Sequence, residues 1–222
     1  MNVNTKYTSI ELVPKYNNHS LGYAPVTVNI TGEIRGAFVV YENFCGKKKR
    51  TVLGSKDAKA FGLNSEETIN KLFIQTMEGM KKNSITSPVL LDLERISNPE
   101  QEDFFVMDAS IDEIRELFSG TPSVLCGNAQ LLSGGAGAAA IFCPGVMNRI
   151  GKAIGSFFVL PTSVHYMEIV PFSRISDYES VENLKAAFLN QIYNSELVGK
   201  SEIITEDIYF YDAEKNDFRK VN

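Results

Sequence analysis

The sequence predicts an α+β fold in which mixed, mostly antiparallel sheets of short strands pack with three main helices. Short β-like runs indicate the strands, as in residues 26–30 and 34–41, which flank a glycine turn and form a predicted hairpin. Apolar residues at helical spacing indicate the helices, in residues 64–82, in the segment that begins at Ser110, and in residues 178–194. The presence of both patterns along one chain predicts this fold class.

Two of these helices carry residues that typically begin a helix. Asn64 is expected to accept a hydrogen bond from an N–H of the first turn, and Glu67, three residues later, completes a capping box. Ser110 and Glu113 have the same spacing at the start of the second helix, and Gly120 follows its predicted end.

The central part of the chain is its most apolar and most glycine-rich part. Strands are predicted there at residues 122–127, 137–143, 156–160 and 164–170. A helix is predicted at residues 144–154, because proline suits the first helical position and a glycine follows the last one. Helical spacing places Val146, Ile150 and Ile154 on its buried face.

The chain is predicted to form an N-terminal half, residues 1–98, and a C-terminal half, residues 99–222, with one continuous domain as the open alternative. The acidic, proline-containing segment at residues 98–103 is the predicted linker. The core of the second half is placed at residues 123–211, and the β-like run of residues 203–211 is its last predicted strand. The polar residues after this strand are expected to fray.

Composition disfavours several functional classes. A formal net charge of −5 and a sequence pI of about 5.2 argue against a protein that coats nucleic acid. The basic run Lys47-Lys48-Lys49-Arg50 is interpreted as a solvated hairpin tip. Three cysteines without CxxC spacing argue against a disulfide framework and a zinc ribbon.

The sequence also disfavours membrane, metal and cofactor sites. The N-terminal residues lack the apolar run of a signal peptide, and the longest apolar run, residues 136–143, is far shorter than the roughly twenty residues that span a bilayer. Two histidines, His19 and His165, are few for a metal site. The loose dinucleotide fingerprint at residues 135–140 is followed by β-like residues rather than by a helix start. We therefore expect a cytoplasmic protein with no cofactor and no membrane partner.

Four motifs in the second half carry a resemblance to a known family. They are Gly137-Ala138, Pro144-Gly145, LPTSVH at residues 160–165 and DIYFYD at residues 207–212. With these motifs the chain resembles the domain of unknown function 5688 family, which is common in gut Clostridia and their mobile elements. The family usually has a glutamate after the histidine, where this chain has Tyr166. The resemblance implies a bacterial or phage intracellular protein and brings no known activity.

Cys143 and His165 are the candidate catalytic residues. Cys143 precedes the predicted helix N-terminus, where the helix dipole can lower the pKa of a thiol, and His165 could serve as its base. Glu168 could orient the histidine, but strand alternation places these two side chains on opposite faces. An inert, buried Cys143 is the competing interpretation. A thiol-dependent enzyme is therefore the alternative function.

Tyr209 and Tyr211 are the candidate binding residues. Alternation places both on one side of the last predicted strand, and tyrosines are enriched at interface anchors. The competing interpretation is that both rings pack beneath the helix at residues 178–194. The preferred function is a non-enzymatic cytoplasmic protein that binds another macromolecule, most simply another protein, with a phage or other mobile element as a possible source.

Overall fold

The computed structural model describes residues 5–16, 25–44, 47–60, 62–92, 103–129, 136–194 and 198–221 of the 222-residue chain. Residues 98–102 of the predicted linker, His19 and Gly135 lie outside these ranges. Within them, the strands form two antiparallel sheets, and five α-helices accompany the sheets. This architecture confirms the predicted α+β class.

The smaller sheet is built from the first part of the chain. Its four strands are β1 Thr5–Leu12, β2 Thr27–Thr31, β3 Ile34–Phe44 and β4 Lys47–Val52. β3 is central, because it pairs antiparallel with each of the other three, and β2 with β3 forms the predicted hairpin. The interpretation of the basic run at residues 47–50 as a hairpin tip is wrong, because its backbone pairs with residues 41–44 of β3.

The larger sheet is built mostly from the second half of the chain. Its strands are β5 Pro88–Leu91, β6 Phe104–Phe105, β7 Val124–Asn128, β8 Phe157–Leu160, β9 Met167–Pro171, β10 Tyr209–Asp212 and β11 Asp217–Lys220. Their order is β11-β10-β8-β9-β7-β5-β6, and every neighbouring pair is antiparallel. The expectation of a frayed C-terminal segment is wrong, because β11 pairs with β10 along its whole length.

Helices cover the faces of the sheets. They are α1 Ser55–Ala60, α2 Glu66–Lys82, α3 Ile111–Ser119, α4 Val146–Ile154 and α5 Val181–Asn194. α2, α3 and α5 are the three main helices that the sequence predicts. Among the helices in the described ranges, none is both long and apolar enough to cross a membrane.

The first turn of α2 is capped by different residues from the predicted pair, Asn64 and Glu67. Its N-cap is Ser65 rather than Asn64, and Thr68 rather than Glu67 completes the capping box. The Ser65 hydroxyl accepts the N–H of Thr68 at 3.3 Å, and the Thr68 hydroxyl accepts the N–H of Ser65 at 3.2 Å. Two hydroxyls at the required spacing thus supply the cap. The predicted capping box of Ser110 and Glu113 at the start of α3 is confirmed.

The predicted strand at residues 137–143 is wrong, because this segment forms a 3-10 helix, Ala138–Phe142. Its first turn is closed by a hydrogen bond from the Ala140 N–H to the Gly137 carbonyl at 3.0 Å, and alanine favours a helical backbone. A Cβ on Gly137 would lie 2.8 Å from the backbone nitrogen of Asn128, so only glycine allows this segment to approach β7 so closely.

The helix predicted at residues 144–154 exists but begins two residues later, at Val146. Its N-cap is Gly145, whose φ of +88° is readily adopted only by glycine. Val146 and Ile150 are fully buried as predicted, whereas Ile154 is only partly buried. Gly155 ends the helix with a φ of +77°.

Two hydrophobic cores lie on opposite faces of the larger sheet. Side chains alternate between them along β8, with Phe157 and Val159 in the first core and Phe158 and Leu160 in the second. The first core also contains residues of the smaller sheet, α2, α3 and α4, and the second lies beneath α5. Residues of both predicted halves therefore share the first core, and the division of the chain at residue 98 stays a prediction.

Candidate functional site

Cys143 lies in the first core rather than at an accessible site. The residue is 2% exposed, and burial raises the pKa of its thiol to about 12. A nucleophilic cysteine needs the opposite change, a lowered pKa and access to substrate. The buried interpretation of Cys143 is therefore the one that agrees with the structure.

His165 lies in the irregular segment before β9. Its carboxylate partner is Glu202, not Glu168, which the sequence suggests as the residue that orients it. Its Nε2 atom is 3.2 Å from Oε1 of Glu202. Glu168, in β9, accepts a hydrogen bond from the Ser123 hydroxyl at 2.5 Å. Glu168 Oε1 thus binds Ser123, and strand alternation does not apply to His165, because the strand predicted at residues 164–170 begins only at Met167.

Tyr209 and Tyr211 are buried, with exposed fractions of 0% and 3%, so the hypothesis that they form a binding surface is wrong. They do share one face of β10, as alternation predicted, but that face belongs to the first core. The ring of Tyr211 lies 4.9 Å from that of Phe157, and the ring of Tyr209 stacks on Phe218 at 5.3 Å. The competing prediction is also wrong, since Phe210 is the β10 residue that packs with the core beneath α5.

A different pair of tyrosines is exposed. Tyr16 and Tyr193 have 54% and 40% of their surfaces exposed, and in the described ranges they belong to a group of four large exposed apolar residues completed by Ile74 and Phe172. The hydroxyl groups of Tyr16 and Tyr193 lie 3.2 Å apart, although the residues are separated by 177 positions. Together with Lys15 and Glu206 they form a cluster that we call the tyrosine patch.

The carboxylate of Glu206 holds the tyrosine patch together. Its Oε1 atom accepts hydrogen bonds from both tyrosine hydroxyls, at 2.5 Å from Tyr16, and its Oε2 atom lies 3.1 Å from Nζ of Lys15. The hydrogen bond from Tyr16, with those from Tyr193 and Lys15, lowers the pKa of Glu206 to about 2. The bond to Glu206 likewise raises the pKa of Tyr193, so its hydroxyl stays a donor. At neutral pH Glu206 is therefore ionised and both tyrosine hydroxyls are protonated, which are the states that these hydrogen bonds require.

Three separate parts of the chain position the tyrosine patch. The backbone N–H of Lys15 donates to the Ile203 carbonyl at 2.7 Å, which attaches the segment after β1 to the segment before β10. Tyr193 is in the last turn of α5, directly after the buried Ile192. Glu206 lies between Ile203 and Ile208, both of which are fully buried. The patch is therefore fixed to the second core from both sides.

The predicted strand at residues 203–211 exists only from Tyr209 onward. Before that residue, polar side chains bind neighbouring elements instead of alternating with apolar ones. Asp207 lies 2.6 Å from Nζ of Lys220 in β11 and 3.9 Å from Nζ of Lys185 in α5. Asp207 thus links this segment to α5 and to β11, although the sequence around it has the pattern of a strand.

No pattern in the sequence predicts the tyrosine patch as a whole. Tyr193 directly follows Ile192, which belongs to the apolar face of the helix predicted at residues 178–194. Helical spacing therefore places Tyr193 near the edge of that face. Nothing in the sequence places Tyr16 beside it. Among the described residues, no group of three or more histidine, cysteine or acidic side chains could hold a metal ion.

Comparison with known proteins adds no relative: no family model, no curated protein and no solved structure matches the chain. The resemblance to the domain of unknown function 5688 family therefore stays a prediction.

Proposed function

We propose that this protein binds another protein and that the tyrosine patch is the anchor of the interface. The observation that carries the proposal is the shared Glu206 carboxylate, which accepts hydrogen bonds from the hydroxyl groups of two exposed tyrosines. Tyrosine is enriched at protein interfaces because its ring offers a large contact area with few rotatable bonds. Rings that are already fixed lose less conformational entropy on binding.

Binding rather than catalysis is the function that the described residues support best. Cys143, the nucleophile of the alternative thiol-dependent enzyme, is buried and has a raised pKa. The tyrosine patch lies on the surface, where hydroxyls and carboxylate satisfy one another and leave the rings for contact. A cytoplasmic location and an origin in a phage or other mobile element remain parts of the proposal that rest on the sequence.

The proposal is tested by affinity capture with matched variants. The immobilised full chain is incubated with a clostridial lysate, and captured proteins are quantified for wild type and for the double variant Tyr16→Ala, Tyr193→Ala. We expect the double variant to capture the partner at least tenfold less, because interface energy is concentrated in a few anchors.

The matched control is the double variant Ile74→Ala, Phe172→Ala, which removes the other two large exposed apolar side chains of the described ranges. It should capture the partner as wild type does. If the wild type and both double variants capture the same proteins equally, the tyrosine patch is not the anchor.

A further inference from the structure

The last strand, β11, forms one edge of the larger sheet. Among the described residues it pairs only with β10, and its four residues are exposed or partly exposed. A strand at an edge presents backbone N–H and C=O groups that have no partner within the sheet. Another strand can add to the sheet by pairing with these groups.

The hydrogen bonds to β10 show which backbone groups of β11 point outward. The N–H of Val221 donates to the carbonyl of Ile208 at 3.0 Å, which continues the ladder between the two strands. Hydrogen-bonded pairs alternate with non-hydrogen-bonded pairs in an antiparallel ladder, so every second residue counted back from Val221 faces β10. The N–H and C=O groups of Phe218 and Lys220 therefore point away from the sheet.

The two neighbours of Phe218 carry opposite charges. The side chains of Asp217 and Arg219 are half exposed and share one face of β11, with Nη1 of Arg219 2.8 Å from Oδ2 of Asp217. When a second β11 is placed antiparallel with Phe218 opposite Phe218, each Asp217 lies opposite the Arg219 of the other copy. Opposite charges directly across a ladder stabilise the pairing. The charges along this edge are thus complementary to themselves.

Phe218 adds an apolar contact in the same register. Its ring stacks on Tyr209 at 5.3 Å and meets the ring of Phe142 edge-on at 5.7 Å. Both phenylalanines are only partly buried, at the margin of the first core. With Phe218 opposite Phe218, the two rings lie side by side on one face of the joined sheet, and aromatic pairs across a ladder are stabilising.

The edge of the smaller sheet at β4 differs in its charges. Among the described residues β4 pairs along its length only with β3, and its residues 47–50 are all basic. An antiparallel copy centred on this run would place like charges opposite one another, which is destabilising. Lysines on an edge strand commonly prevent association of this kind. The alternating charges of β11 do not prevent it when Phe218 is at the centre.

We propose that β11 pairs with β11 of a second copy of this chain. The result is a two-fold symmetric dimer in which the two larger sheets join into one, and each Phe218 N–H donates to the Phe218 carbonyl of the other copy. Because each strand contributes only four residues, the contact is small, and we expect a Kd on the order of 100 μM. This surface uses no residue of the tyrosine patch, so self-association and partner capture are tested separately.

The test is sedimentation equilibrium of the full chain with two charge-reversed variants, over concentrations from about tenfold below to about tenfold above the expected Kd. Asp217→Arg and Arg219→Asp should each self-associate at least tenfold more weakly than wild type, because like charges then lie opposite each other in both pairs. An equimolar mixture of the two variants should form a heterodimer about as tight as the wild-type dimer, because opposite charges again lie across the ladder. The matched control is Arg174→Asp, which reverses an exposed arginine paired with Asp177 and should dimerise like wild type.

A wild-type chain that sediments as a monomer at every concentration overturns the proposal. So does a charge-reversed variant that dimerises as tightly as wild type, or a mixture of the two variants that stays monomeric. If a charge-reversed variant does not fold by circular dichroism, the amide signal of Phe218 in the ¹⁵N-labelled wild-type chain decides. This signal should shift as the concentration rises, because its N–H gains a hydrogen bond, and a constant signal overturns the proposal.

Discussion

Tyr209 and Tyr211 lie in the first core, whereas Tyr16 and Tyr193 lie on the surface, and the two pairs use the same side chain in different ways. In the core, the rings of Tyr209 and Tyr211 pack on aromatic neighbours, and the Tyr211 hydroxyl donates to Oδ1 of Asn216 at 2.6 Å. On the surface, the hydroxyls make the ordered contacts and the rings stay exposed. We infer that the first pair serves stability and the second serves recognition.

Truncation should separate the two pairs most clearly. Tyr211→Ala removes a buried ring and leaves a cavity, so we expect the free energy of unfolding to fall by about 3–5 kcal/mol. Tyr16→Ala should lower it by no more than about 1 kcal/mol, because an exposed hydrogen bond and little buried area are lost. Denaturant unfolding of both variants measures the difference. Equal losses would show that the distinction between the pairs is wrong.

Strand alternation is the part of this comparison that could be predicted from the sequence. It places Tyr209 and Tyr211 on one face of β10, and the structure confirms this. Alternation does not show which face of β10 is covered by α4 and which by α5, because this depends on how elements distant in sequence pack around the sheet. The sequence therefore predicts the shared face of the pair but neither of its proposed surroundings, an exposed surface or the underside of the helix at residues 178–194.

The candidate site depended still more on contacts that are distant in sequence. Tyr16 and Tyr193 meet where the Lys15 backbone binds the Ile203 backbone and Glu206 accepts from both hydroxyls. Local patterns such as capping boxes and glycine turns involve neighbours within a few residues, and most of these predictions hold to within one or two positions. The assignment of residues 137–143 to a strand failed because the close approach of Gly137 to Asn128 is also a tertiary feature.

A smaller effect tests how tightly the buried pair is packed. A Cβ on Gly151 of α4 would lie 2.8 Å from Cε1 of Tyr211, so Gly151→Ala should destabilise the protein by about 1–2 kcal/mol even though alanine favours a helix. The matched control is Gly79→Ala in α2, where nothing lies within 4 Å of the added atom. This control should stabilise by about 0.5–1 kcal/mol. Thermal or denaturant unfolding compares the two, and stabilisation by both would contradict close packing of α4 on Tyr211.

The smallest effect concerns the hydroxyl groups of the exposed pair. The pKa of Glu206 is lowered from an ordinary value of 4.5 to about 2, so its stabilising contribution is fully present above pH 4.5 and is lost as the pH falls towards 2. The double variant Tyr16→Phe, Tyr193→Phe removes two of the three donors to this carboxylate and should move its pKa up towards the ordinary value. An NMR titration of the Glu206 carboxyl carbon measures the shift, and Tyr211→Phe is the control that should leave this pKa unchanged.

At neutral pH the double variant should lose no more than about 1 kcal/mol of stability. A Glu206 pKa that stays near 2 in the double variant would show that Lys15 alone holds the carboxylate, and the rings of the tyrosine patch would then not be fixed by it.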